Sequence, residues 1–148
     1  MSSNSLKPLR ILLIATLILL FFQYESGITV NFANPASIAP FDFSIVAFLN
    51  ALNGVGSVAL IHAIVGGLLL LLELVNMVMA LRSKVRSAQV YGVLSFITMI
   101  FAAGGGLYFV LSGFQSDNAS HAMATNFLLS FVLLFLELYA IKPEKAKS

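Results

Sequence analysis

The sequence predicts an all-α integral membrane protein, a bundle of four transmembrane helices with both termini in the cytoplasm. Of its 148 residues, 59% are hydrophobic and only 9% are charged, which is too little charge to cover a soluble domain of this length. The mean hydropathy of +0.99 also indicates a membrane protein. The eight basic residues stand in short clusters beside the apolar stretches. Such clusters set membrane topology and argue against nucleic acid as a partner.

Four stretches are apolar over the roughly 20 residues that a helix needs to cross the hydrocarbon core. They cover residues 10–30, 59–81, 88–113 and 121–141. The first follows Lys7 and Arg10 as a signal peptide would, but no small-residue cleavage site follows it, so we expect a retained helix. We find no internal repeat, and residues 1–148 are expected to form a single membrane domain.

The basic residues give the helices a direction. Clusters precede the first helix, fill the turn between the second and third, and follow the fourth: Lys7 and Arg10; Arg82, Lys84 and Arg86; Lys142, Lys145 and Lys147. The other two connections contain Asp42 and Asp117 but no Lys or Arg. Because cytoplasmic loops carry the excess of basic residues, both termini are predicted to be cytoplasmic.

The long outer connection between the first and second spans contains a further helix signal. In the segment FSIVAFLNALNG, apolar residues recur at helical spacing: Ile45, Phe48, Leu49 and Leu52. We expect a short amphipathic helix that lies along the outer membrane interface and caps the bundle.

The two histidines of the chain fall at a matched depth. His62 lies about one turn below the outer end of the second helix, and His121 opens the fourth, which runs in the same direction. Gly66 and Gly105 stand at this level and can leave a slot for a flat ligand. Since imidazoles are axial ligands of haem, His62 and His121 are candidate metal ligands, and Gly66 and Gly105 candidate contacts, of a haem b. A zinc site would need further ligands.

A blander interpretation of the same residues stays open. Glycines in membrane helices often allow helices to pack closely, and polar residues near helix ends reach interfacial water at little cost. On this interpretation the histidines have no shared ligand.

Three acidic residues lie within the spans: Glu25 near the outer end of the first, Glu73 in the second and Glu137 in the fourth. Glu73 and Asn76 share one face of the second helix with His62, and this face is expected to point into the bundle. An ionised, unpaired carboxylate there would be costly, so we expect Glu73 to be protonated or hydrogen-bonded. Glu73 and Asn76 are candidates for a proton relay or a quinone site, or simply join helices by hydrogen bonds. Glu137 lies about a turn from Lys142 and is predicted to reach the cytoplasmic interface.

The motifs IHAIVGG, SHAMATN and the Phe22, Gln23 and Gly27 pattern of the first helix carry a family resemblance. The chain resembles one four-helix half of the haem A synthase family, and small four-helix, b-type cytochrome-like membrane proteins. The resemblance implies a haem held by His62 and His121. Ala59 stands where the catalytic bundle of that family has a glutamate, so haem A synthase activity is not expected.

The expected function is therefore a b-type haem-binding subunit that carries electrons within a respiratory or redox complex of the prokaryotic plasma membrane. Its expected cofactor is haem b, with a quinone as a further candidate. Its expected partners are other membrane subunits and lipid, and it is not expected to be an enzyme alone. The alternative is a haem-free accessory subunit of a membrane complex. We find no phosphate loop or catalytic triad, and transporters usually have more spans or interrupted helices.

Overall fold

A computed structural model describes residues 6–32 and 44–141, and these residues form five α-helices. They are α1 (Lys7–Phe32), α2 (Ile45–Val55), α3 (Ser57–Arg82), α4 (Arg86–Leu111) and α5 (Asp117–Ala140). All but α2 are long and apolar enough to cross a membrane. The four predicted spans are thus confirmed as helices, and their length and composition indicate a membrane protein.

Local backbone chemistry sets helix ends that differ from the predicted bounds. α4 ends at Leu111 rather than Gly113, because Gly113 and Phe114 take positive φ angles of 66° and 62°. A reversal into the left-handed region is a common way to end a helix. α5 begins at Asp117, before the predicted start, because the Ser116 side chain accepts a hydrogen bond from the helix's first turn.

The four long helices form a ring in the order α1, α3, α4, α5, in which neighbours are antiparallel. The pairing of α1 with α3 shows the direction: Gly27 meets His62, while Gln23, one turn earlier on α1, meets Gly66, one turn later on α3. α3 and α5 are not neighbours. They stand diagonally and run in the same direction, so their inward side chains meet on the axis of the bundle.

The two ends of the bundle differ in charge. One end holds the start of α1, the turn between α3 and α4, and the end of α5. We refer to it as the basic end, because all described Lys and Arg residues lie there: Lys7, Arg10, Arg82, Lys84 and Arg86. Asp42 and the lysines at 142, 145 and 147 lie outside the described residues. The cytoplasmic location of the basic end stays a prediction.

α2 packs across the opposite end of the bundle, against α3 and α4. Its Leu52 is buried and Phe48 partly buried, and Leu52 joins Val30 of α1 in a small apolar core. Ile45 and Leu49 are 70% and 43% exposed. Of the four apolar residues that predict this helix, two face the bundle and two are exposed on its surface. The location of α2 at a membrane interface stays a prediction.

The exterior of the long helices is strongly apolar. Only about a fifth of the residues in each span are buried, and large side chains such as Ile11, Phe21, Leu71, Phe101 and Phe135 are more than half exposed. A surface of this kind is stable against lipid or against other membrane subunits rather than in water.

Candidate functional site

His62 of α3 lies between α3 and α1, with both ring nitrogens in hydrogen-bonding contact. Its Nδ1 is 2.9 Å from the Ser26 Oγ, and its Nε2 is 3.2 Å from the Gln23 Nε2. Gly27 and Gly66 make room for these side chains. A Cβ on Gly27 would stand 3.0 Å from the His62 Cε1, and a Cβ on Gly66 would stand 3.0 Å from the Gln23 Nε2. The two glycines thus allow α1 and α3 to approach closely around the side chains of Gln23 and His62.

The hydrogen bonds of this cluster assign its protons. The Ser26 hydroxyl donates to the Gln23 carbonyl at 3.0 Å, so its oxygen accepts from the His62 Nδ1–H. The Nε2 then accepts from the Gln23 amide, whose second hydrogen goes to the His62 carbonyl at 3.0 Å. The amide oxygen Oε1 of Gln23 is buried and has no partner. Because an unpaired buried acceptor costs about 1–3 kcal/mol, a ligand hydroxyl that reached it would be stabilising.

Two adjoining cavities border His62. Their volumes are about 170 Å³ and about 140 Å³. Both are bounded by the same central residues: Gln23, Gly27, Asn31, His62, Gly66, Ala103 and Met123. The larger cavity extends toward Phe48 of α2, and the smaller toward the stacked rings of Tyr24 and Phe127. Mostly apolar walls with a few polar groups on one side are usual for a small-molecule pocket.

An apolar groove runs along the contact between α1 and α5, and we refer to this groove as the seam. It has a volume of about 470 Å³. Its walls are Leu20, Phe21, Tyr24, Ala124, Thr125, Phe127, Leu128 and Phe131. Tyr24, Ala124 and Phe127 also bound the smaller cavity, and a second groove of about 430 Å³ continues from Phe21 and Phe131 toward the basic end. The seam therefore adjoins the smaller cavity at His62, with Tyr24 and Phe127 as shared walls.

The structure does not bring His121 to His62. His121 is exposed and bounds neither cavity at His62, whereas Met123 bounds both. Residues two apart in an α-helix are separated by about 200° around its axis, so an inward Met123 turns His121 outward. The predicted pairing of the imidazoles is not found, and in this packing the site does not fit a bis-histidine haem. Among the described residues, no three His, Asp or Glu side chains gather as a metal site. Haem itself stays a prediction.

Gly66 and Gly105 are predicted to border a haem, but neighbouring atoms occupy the space beside each of them. The side chain of Gln23 occupies the space at Gly66, as described above. At Gly105, a Cβ would stand 3.1 Å from the Met123 N and 3.2 Å from the Ala119 carbonyl oxygen. The backbones of α4 and α5 therefore touch directly at Gly105, and this glycine is needed for packing rather than for a slot.

A second polar cluster lies on the bundle axis, in the half near the basic end. Glu73 and Asn76 of α3 and Glu137 of α5 are each 0% exposed, so the predicted inward face of α3 is confirmed at these positions. The Asn76 Nδ2 donates to the Glu137 Oε2 at 2.9 Å. The Ser95 Oγ of α4 donates to the Glu73 Oε2 at 2.8 Å. Gly92 of α4 leaves space for the Glu137 carboxyl, since a Cβ there would be 3.3 Å from its Oε2.

The location of Glu137 corrects a prediction. This residue was expected at the interface beside Lys142, but its side chain points to the bundle axis and reaches Asn76. Glu137 shares the buried face of α5 with Ser130 and Leu134, which are also 0% exposed. The three-and-four spacing of these residues is the sequence signal that identifies Glu137 as inward-facing.

These features define a class of protein: a four-helix membrane bundle with a mostly apolar pocket at His62, an apolar groove that adjoins it, and a buried carboxyl pair deeper in the bundle. Comparison with known proteins narrows the class no further, since no family model matches this chain, and no curated protein or solved structure is significantly similar to it.

Proposed function

We propose that this chain is a quinone-binding membrane subunit of a multi-subunit redox assembly, with the quinone ring beside His62 and Gln23. The observation that carries the proposal is the pair of cavities around these side chains, together with the seam that adjoins the smaller one at the exterior of the bundle. We place the protein in a prokaryotic plasma membrane with its basic end in the cytoplasm. The quinone site then belongs to the outer half of the membrane, and the apolar exterior contacts lipid and partner subunits.

The size of the cavities supports a one-ring head group. A dry protein cavity of about 150 Å³ holds one benzene molecule, and the two cavities measure about 170 Å³ and about 140 Å³. A quinone head group has one or two six-membered rings. A porphyrin has four pyrrole rings in one plane and would have to push α1, α3 and α5 apart.

The polar side of the pocket suits the oxygen atoms of such a ring. Gln23, which bounds both cavities, carries an acceptor without a partner. A quinol hydroxyl can donate to such an acceptor, whereas a quinone carbonyl cannot. Asn31 and Ser120, which hydrogen-bond each other at 3.3 Å, both bound the smaller cavity. Their amide and hydroxyl groups are available to the second ring oxygen. The pocket should therefore prefer the reduced form.

The seam suits the tail of the same ligand. Its walls are aromatic and aliphatic, with Thr125 as the exception among them. It adjoins the pocket and continues along the exterior of the bundle toward the basic end. An isoprenoid or alkyl chain attached to the ring would follow this path. Burial of such a chain contributes about 0.8 kcal/mol per methylene group.

Quinol affinity should depend on the tail. We expect a quinol with an alkyl or isoprenoid tail to bind the purified protein at least tenfold more tightly than the tail-less ring. Two buried methylene groups already contribute about 1.6 kcal/mol, and a tenfold difference in affinity needs about 1.4 kcal/mol. Titration calorimetry in detergent measures both affinities. Ala124→Phe, which narrows the seam, should remove the advantage of the tail.

The matched control for this experiment is Ala122→Phe. Ala122 is exposed on the same helix and does not bound the seam, so this variant should keep the advantage of the tail. Equal affinities for the two quinols, or an equal effect of the two substitutions, would contradict a tail in the seam.

A b-type haem is the second candidate, favoured by the location of Met123. Its side chain bounds both cavities that His62 bounds, and it comes from α5, which stands diagonally to α3. An imidazole and a thioether together are a known pair of haem ligands. In the packing described above the pocket is too small, so this candidate requires the seam to widen. A haem absorption band that Met123→Leu removes and His121→Ala does not would favour it over a quinone.

A further inference from the structure

The carboxyl cluster near the basic end has no part in the pocket at His62, and its hydrogen bonding is incomplete. One oxygen of each side chain is buried without a partner: Glu73 Oε1, Asn76 Oδ1 and Glu137 Oε1. All three residues are 0% exposed. Buried polar atoms in proteins nearly always have a partner, so three unpartnered acceptors in one cluster indicate that the cluster holds a proton or a cation.

Within residues 6–32 and 44–141, no basic side chain pairs with either carboxyl. Among the described residues, neither Glu73 nor Glu137 forms an ion pair. From α4 the hydroxyl of Ser95 faces the cluster. Arg10 of α1 has an Nε that is buried without a hydrogen-bond partner, so it does not pair with either carboxyl through this atom. Two ionised carboxylates in this low-dielectric interior would repel each other and lose their hydration. A proton removes one charge and also turns one acceptor into a donor.

We infer that Glu73 and Glu137 form a proton-binding site in which Asn76 connects the two carboxyls. Glu73 and Asn76 are three residues apart on one face of α3, which brings their side chains together. A proton on the Glu73 Oε1 therefore has an acceptor in the unpartnered Asn76 Oδ1. The hydrogen bonds then run from Ser95 to Glu73, from Glu73 to Asn76, and from Asn76 to Glu137, with a donor facing an acceptor at every step.

Glu137 is the carboxyl that exchanges its proton. Its Oε2 already accepts from Asn76 in the structure, which stabilises the ionised form, and its Oε1 is free to bond a proton. It also lies one turn from the end of α5 at the basic end, whereas Glu73 is deeper. Uptake forms one O–H bond on Glu137 with a proton from water and changes the charge of the pair from −1 to zero; release reverses this.

The proton site does not depend on the quinone site. Leu69 of α3 is 0% exposed and bounds the smaller cavity at His62. It lies one turn from Glu73, between the two sites. The two proposals can therefore fail separately.

Infrared spectroscopy of the full chain in lipid bilayers tests the inference, because carboxylic acids and carboxylates absorb at different frequencies. At neutral pH we expect a carboxylic-acid band that shifts to lower frequency in D₂O. Glu73→Gln should remove a component present at every pH, and Glu137→Gln should remove a component whose intensity changes with pH. Glu25→Gln is the control, since Glu25 is exposed on α1, and it should leave both components in place.

Two results would overturn the proton site. One is that neither glutamine variant removes a carboxylic-acid component. The other is that replacing Na⁺ by a bulky organic cation lowers the thermal stability of the wild-type protein, which would indicate ionised carboxylates around a bound cation. The second measurement and the D₂O shift need only the wild-type chain, so the inference stays testable if a variant does not fold.

Discussion

Replacing His62 with alanine should weaken quinol binding by about 10- to 100-fold. His62 bounds both cavities and positions the Gln23 amide through its Nε2. Its removal takes away hydrogen bonding and wall contacts that together amount to about 1.4–2.8 kcal/mol. The loss should appear in calorimetric titrations with a tailed quinol and in competition with the tail-less ring.

His121→Ala is the matched control for this prediction. It removes the same side chain from a helix that runs in the same direction, but from an exposed position outside both cavities. Its quinol affinity should equal that of the wild type. An equal loss in the two variants would mean that both imidazoles serve one ligand, and an unchanged affinity in His62→Ala would exclude the pocket as the binding site.

Replacing Gly105 with alanine should destabilise the bundle by about 1–3 kcal/mol, the usual cost of overpacking. The added Cβ would stand 3.1 Å from the Met123 N and 3.3 Å from its Cα. These are backbone atoms of α5 that cannot rotate away, so the two helices must separate.

The adjacent glycine supplies the control. A Cβ on Gly104 would meet no atom within 4 Å, and Gly104→Ala should be neutral or stabilise α4 by up to about 1 kcal/mol through helix propensity. Thermal unfolding in detergent, followed by helical circular dichroism, compares the variants. Equal midpoints for the two variants would contradict direct backbone contact of α4 with α5.

The helices can be predicted from the sequence because many apolar residues contribute to the hydrophobic signal of each one. Each span is a mostly apolar stretch of more than 20 residues, and no single substitution obscures a stretch of that length. Ends such as those at Leu111 and Asp117 were harder to predict, because one backbone reversal or one capping serine decides them.

The composition of each site depends on how far each helix is rotated about its own axis. The sequence constrains this rotation less than it constrains the existence of the helix. Small residues surround His121 and Met123 alike. The contact of α5 with Gly105 and the buried face of Ser130, Leu134 and Glu137 together fix which of the two faces inward. Glu137 was assigned by its distance along the chain from Lys142, although its spacing from Leu134 indicates the buried face. Gln23, the partner of His62, belongs to the Phe22, Gln23 and Gly27 motif of α1, but a hydrogen bond between two helices has no signature in one sequence.

The most direct test of the quinone proposal is to purify the protein from its native membrane, extract its bound lipids and record the visible spectrum of the same preparation. The proposal predicts stoichiometric quinone in the wild type and in His121→Ala, little quinone in His62→Ala, and no haem band in any of them. A wild-type preparation without quinone, but with a haem band that is lost on replacing either histidine, would contradict it.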